Sequence, residues 1–157
     1  MPTPVTGDWL HFEDLELGQT FALGPRTISR EEMIAYAREF DPFPFHVDEA
    51  AAKASLLGGL AASGWQTGAL SQALLVEAFL GRAAGMGGLG FRDLKWRKPF
   101  MAGRTLSGRA TIIALRRSQS KPDRGIVEIG FDMQDETGAQ LLTMTLINMI
   151  AVREPAQ

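Results

Sequence analysis

Between Gly64 and Leu80 the chain carries one charged residue, Glu77, near the end of the segment. Apolar side chains occupy the whole helical circumference there: Trp65, Ala69, Leu70, Ala73, Leu74, Leu75, Val76 and Phe79. A helix without a polar face is normally buried on most sides, so the rest of the chain has to be built around it. The downstream sequence supplies suitable material. Val127, Ile129, Phe131 and Met133 alternate with Glu128, Gly130, Asp132 and Gln134, the period-2 mark of a half-buried strand. Asp135 to Gly138 has turn chemistry, and Leu141 to Val152 reads as a long strand apolar on both faces. Phe91 to Arg97 and Thr105 to Leu115 read as earlier strands separated by a Pro99/Gly103 turn, and Lys121 to Gly125 as a further turn. One buried helix followed by antiparallel strands implies an α+β layer. The simplest way to hide the helix is to wrap a curved antiparallel sheet around it.

The N-terminal part is read from its punctuation. Thr20 to Ile28 can form a first strand, and Ser29-Arg30-Glu31-Glu32 matches a capping box opening a helix through Met33, Ile34, Ala37 and Phe40. That helix has to stop near Asp41, because the residue before Pro42 is pushed out of the α region. Asp48 is placed to cap a short helix, Glu49 to Lys53. Ala54 to Val76 has no charge and the length of a membrane span. Its four glycines, three serines, two glutamines and a threonine make it too polar and broken for one. It reads as a loop leading into the buried helix.

Composition excludes several classes of function. The 157 residues suit one domain, residues 1–157. A net charge of -2 gives no electrostatic reason to expect nucleic acid or an anionic membrane as partner. The absence of cysteine rules out thiolate catalysis and cysteine metal sites, and it accords with a reducing, cytoplasmic setting. Met1 to Glu16 has no basic start followed by an apolar run, so no secretory signal is expected.

Chemistry concentrates in Phe40-Asp41-Pro42-Phe43-Pro44-Phe45-His46-Val47-Asp48, which holds an aspartate and one of only two histidines in a proline-stiffened aromatic segment. A carboxylate and an imidazole held together can share a water, one taking a proton and the other giving one. Flanking phenylalanines would lower the local polarity and strengthen hydrogen bonds within the site. Spacing leaves the alternative open: Asp41 ends the helix and His46 is a satisfied, partly buried side chain. A metal site on His46 and Asp48 lacks the three or four ligands zinc usually needs. His11 lies in a polar stretch and reads as solvated.

Asp41 to Asp48, with the DEAAAKAS that begins at Asp48, resembles the hydratase signature of the MaoC-like dehydratase family, which includes the R-specific enoyl-CoA hydratases. Against the pattern Asp-x-Asn-Pro-x-His-x-Asp, Asp41, Pro44, His46 and Asp48 match. Phe12 to Leu15 with Gly18, Ala62-Ser63-Gly64, and Leu94 to Thr105 extend the likeness over nearly the whole chain. The resemblance implies a single hot-dog domain and a lyase that adds water to a 2-enoyl-CoA, or removes it from a 3-hydroxyacyl-CoA, in fatty acid metabolism. Asp41 would act chiefly as the base on the catalytic water, and His46 would share the proton transfers. The Gly64 amide, at a helix N-terminus with its unpaired N–H and positive dipole, would meet the thioester oxygen. Gly64 is also read as an ordinary helix-start glycine. Ser63 either hydrogen-bonds near the dyad or caps the helix, the cap being favoured.

No cofactor or metal is implied beyond the coenzyme A of the substrate, and the expected partner is a second copy, in a homodimer or higher homo-oligomer. Two positions depart from the family pattern: Phe43 replaces the signature asparagine, and Gly103-Arg104 replaces the usual Gly-Asp. The first implies a different acyl group, altered activity or none. Arg97, Lys98 and Arg104 either meet coenzyme A phosphates or form a solvated surface. A hot-dog thioesterase and a non-catalytic acyl-thioester binding module are the competing functions.

Overall fold

Local chemistry fixes the start of each helix. In the computed structural model, which describes residues 9–154, Ser29 Oγ accepts from the Glu32 amide at 3.1 Å while a Glu32 carboxylate oxygen accepts from the Ser29 amide at 2.7 Å. This reciprocal cap opens α1 (Arg30–Phe40). Asp48 accepts from the Ala51 amide at 2.7 Å and opens α3 (Glu49–Ala54). Between them lies a short helical turn, α2 (Pro44–Val47), with proline at its first position, where no amide donor is needed. The expected helix over the apolar segment is α4 (Gly64–Ala78), followed by a 3-10 turn at Leu80–Arg82 rather than running on to Leu80.

Five strands form one antiparallel sheet in the order β1-β3-β4-β5-β2. They are β1 (Thr20–Thr27), β2 (Gly85–Trp96), β3 (Thr105–Arg117), β4 (Arg124–Gln134) and β5 (Gln140–Ala151). Their inner face carries the core against α4. Leu74, Leu75 and Phe79 are buried with Phe21, Leu106, Ile112, Ile129, Phe131, Leu142 and Ile150. Phe79 stacks on Phe21 with ring centres 4.4 Å apart. An antiparallel sheet wrapped around a central helix is the hot-dog arrangement.

Two expectations need correcting. β2 begins at Gly85, not Phe91. Its opening Gly-Met-Gly-Gly-Leu-Gly carries no strand pattern in sequence because the register slips at Gly85/Gly87 and Gly88/Gly90, with Gly87 and Gly90 at φ values of 108° and 146°. Bulges break the period-2 pattern, and glycine is the residue that accepts such backbone angles.

The second correction concerns α4, expected to be buried on most sides but covered on one face. Its core-facing residues are Gln66, Thr67, Ser71, Leu74 and Leu75, while Trp65, Ala69, Ala73 and Val76 form an exposed stripe. A single five-stranded sheet covers one side of a helix only. On the inner side Ser71 Oγ donates to the Thr67 carbonyl at 2.7 Å and Thr67 Oγ1 to the Ser63 carbonyl at 3.3 Å, while Gln66 Nε2 donates to the Glu32 carbonyl at 3.3 Å and its Oε1 has no partner among the described residues.

Candidate active site

The segment after α1 reverses direction within a few residues. Asp41 ends the helix with its amide on the Ala37 carbonyl at 2.9 Å, and Pro42 stops continuation. The Phe43 amide returns to the Asp41 carbonyl at 2.8 Å, and the His46 amide reaches the Phe43 carbonyl at 2.8 Å as α2 winds. This compact turn, which the proline-rich sequence conceals, folds an extended reach of about 16 Å into a near contact. Asp41 Oδ2 and His46 Nε2 lie 3.7 Å apart. That is too far for a direct hydrogen bond and suits two groups facing one water.

Both side chains are held from a second direction. The loop Leu60–Ala62 is stitched to the Pro99 turn, the Ala62 amide to the Phe100 carbonyl and the Ala102 amide to the Leu60 carbonyl, each at 2.9 Å. The Ala61 carbonyl is thereby fixed 3.0 Å from His46 Nδ1. A carbonyl only accepts, so Nδ1 carries the proton, and in the neutral tautomer this leaves the Nε2 lone pair facing Asp41.

Ser63, fully buried, resolves the choice between cap and site contact by doing both. Its hydroxyl accepts from the Trp65 amide at 3.2 Å, capping α4, and donates to Asp41 Oδ2 at 2.6 Å. One carboxylate oxygen is thus tied to the helix N-terminus. The Asp41 charge is felt locally: burial, and secondarily that carboxylate, hold the Tyr36 phenol above its ordinary range.

Asp41 and His46 open into a cavity of about 440 Å³ walled by Phe43, Phe45, Leu57, Trp65, Trp96 and Phe100. Gly64 lines it at the first position of α4, where the helix offers an amide without an intrahelical acceptor. The Trp96 indole packs so tightly on Gly64 that a Cβ built there would lie 2.5 Å from two ring atoms. Any side chain at position 64 would therefore require the indole to move.

Arg97 and Lys98 reach the cavity wall, whereas Arg104 does not: it pairs with Glu136 at 3.5 Å and clamps the start of β3 to the turn before β5. Asp48 of the signature serves the α3 cap and stands apart from His46 chemistry. His11 is half-buried rather than free in solvent, its Nδ1 on the Trp9 carbonyl at 2.8 Å. Sequence reasoning missed Trp96, because its approach to Gly64 is not visible in local spacing.

Phe43 occupies the N-cap of α2 and makes no side-chain cap. Asparagine is a preferred N-cap residue, so the residue missing from the signature is one that would serve this turn. Phe43 instead stacks on Phe45, ring centres 5.1 Å apart and nearly parallel.

The family model for the MaoC like domain matches residues 14–130. The chain belongs to the MaoC-like domain family. The crystal structure of a MaoC-like dehydratase from Rhodospirillum rubrum superposes with a TM-score of 0.85 at 39% identity, covering 92% of this chain and 99% of that one. An R-hydratase from Pseudomonas aeruginosa shares the fold, with a TM-score of 0.73 at 21% identity over 94% of this chain and 89% of its own. In sequence, a mesaconyl-CoA hydratase of Haloarcula hispanica is 41% identical over 69 residues, which is 43% of this chain and 19% of that protein. The uncharacterized YdeM of Bacillus subtilis is 35% identical over 68 residues, 43% of this chain and 48% of its own. The matched region thus spans less than half the length of these curated relatives. This MaoC-like chain has the hot-dog fold of its structural neighbours.

Proposed function

We propose that this MaoC-like protein is a hydratase that adds water across the double bond of a 2-enoyl-CoA, and in reverse dehydrates a 3-hydroxyacyl-CoA. The observation that carries the proposal is the 3.7 Å approach of Asp41 Oδ2 to His46 Nε2, with the Nε2 lone pair turned to the gap by the Ala61 carbonyl. A water in that gap donates both its hydrogens, one to each group. Asp41 takes a proton as the water oxygen bonds to the β-carbon, and the π electrons move toward the thioester oxygen. The resulting enolate is met by the Gly64 amide at the N-terminus of α4, and the α-carbon regains its proton from the dyad. The balance closes on water and side chains, with no further cofactor.

An assay on short and medium enoyl-CoA substrates tests the reading. Loss of the conjugated enoyl absorbance is expected. Release of free thiol would instead indicate thioester hydrolysis, and binding without turnover would indicate a carrier of acyl ligands.

Phe43 bears on the substrate more than on the reaction, since its side chain is 56% exposed on the cavity wall and stacks on Phe45. For Phe43→Asn the new N-cap, worth about 0.5–2 kcal/mol, offsets the lost stacking of about 0.5–1.5 kcal/mol. The expected result is an unchanged melting temperature and kcat, with KM for apolar acyl groups rising several-fold. A collapse of kcat would refute this account of the position.

A second copy of the chain is the expected partner. β2 is an unpaired edge with Met86, Leu89, Phe91 and Trp96 exposed, and it runs beside the exposed stripe of α4. The opposite edge, β1, is interrupted at Pro25, which has no amide to offer. Pairing through β2 would bury both apolar surfaces. Sedimentation of the wild type is expected to give a dimer, and Phe91→Lys a monomer with reduced activity. A monomeric wild type would overturn this arrangement.

A further inference from the structure

We infer that the indole N–H of Trp96 is a second hydrogen-bond donor to the thioester oxygen, acting with the Gly64 amide. The inference rests on the hydratase reading and extends it to a residue outside the signature. Four observations meet at this ring. Trp96 lines the cavity that holds Asp41 and His46. Its pyrrole edge, Nε1 included, lies over Gly64, with Nε1 2.5 Å from the point where a Cβ would stand. The indole nitrogen is therefore a neighbour of the Gly64 amide, approaching from the Cβ side rather than along the N–H. Among the described residues Nε1 has no hydrogen-bond acceptor, and the ring is half exposed at the cavity, so its N–H is open to a ligand there.

The fourth observation is that the ring is held in place. Trp96 pairs with Leu142 at the end of β2, the next amide is tied to the Leu141 carbonyl at 2.8 Å, and Trp65 stands edge-on to the ring at 5.2 Å and 83°. A fixed donor at the position where charge develops stabilises it without reorganisation, which is the requirement for this kind of catalysis. An enolate oxygen has room for two donors, and the first position of a helix offers one. Trp96 supplies the other.

Trp96→Phe keeps an aromatic ring at the site and removes only the donor. Two readouts test the assignment. In steady-state hydration of a 2-enoyl-CoA, kcat is expected to fall roughly 10²-fold, with KM changed by no more than about threefold and the circular dichroism spectrum unchanged. In the Asp41→Asn background, where turnover is suppressed, the carbonyl stretch of bound but-2-enoyl-CoA is followed by infrared difference spectroscopy. Binding is expected to lower its frequency, and the added Trp96→Phe change to reverse part of that shift. Wild-type kcat together with an unmoved carbonyl band in Trp96→Phe would overturn the proposal and leave the dyad intact. A Trp96-dependent band shift in a protein that hydrates no enoyl-CoA would support the donor and refute the hydratase reading.

Discussion

The Asp41→Asn variant is expected to lose roughly 10²–10⁴-fold in kcat for enoyl-CoA hydration, the range for removing a positioned general base, while remaining folded. The asparagine side chain is isosteric and its carbonyl oxygen still accepts from Ser63 Oγ, so the tie between the α1 terminus and α4 persists. The helix end depends on the backbone bond to Ala37, which the substitution does not touch. What disappears is the ability to take a proton from the water shared with His46. His46→Ala should be equally inactive and, in contrast, less stable by about 1–3 kcal/mol, because it leaves the Ala61 carbonyl without its donor in a buried setting. Disappearance of the enoyl absorbance measures the first effect and thermal melting the second. Full activity in Asp41→Asn would remove the carboxylate from the mechanism altogether.

The difference between these variants mirrors what could be read from the residues in advance. Signals confined to a few neighbours were legible. The Ser29/Glu32 capping box, the Asp48 cap and the alternation from Val127 to Met133 each encode their structure within one turn or one strand, and all three are found. The wrapped sheet also followed from the apolar helix, since a helix lacking a polar face has few ways to be covered.

Features that depend on partners distant in sequence were not legible. The bulged, glycine-rich start of β2 makes sense only against β5, and the exposed stripe of Trp65, Ala69, Ala73 and Val76 only against the limited span of one sheet. At the site, spacing left open whether Asp41 and His46 meet, and only the family resemblance brought them together. The turn of α2 closes them, and Ser63 and Ala61, from another loop, orient them. Ser63 illustrates why an either/or choice failed: a hydroxyl accepts and donates at once, so one residue caps α4 and grips Asp41.

The second large effect is expected at Gly64. In Gly64→Ala the new methyl would lie within 2.5 Å of the Trp96 pyrrole ring, inside any real contact distance. The backbone of α4 cannot yield easily, because Ser63 and Thr67 anchor its first turn through the Ser63 carbonyl and hydroxyl. The indole, 49% exposed, can swing outward instead. Overpacking of this kind costs about 1–3 kcal/mol, or about 2–4 °C in melting temperature for each kcal/mol in a chain of this size.

Activity should suffer more than stability. The displaced indole no longer walls the cavity, the methyl crowds the path to the Gly64 amide, and both donors proposed for the thioester oxygen are disturbed together. A fall in kcat of roughly 10²–10³-fold is expected, the range for loss of such a donor. Pairing the change with Trp96→Ala separates packing from chemistry. The double variant should be less destabilised than the sum of the two single variants, since the clash is gone, yet remain inactive. Recovery of hydration in the double variant would mean that Gly64 serves only to admit the indole and that its amide plays no part in the reaction.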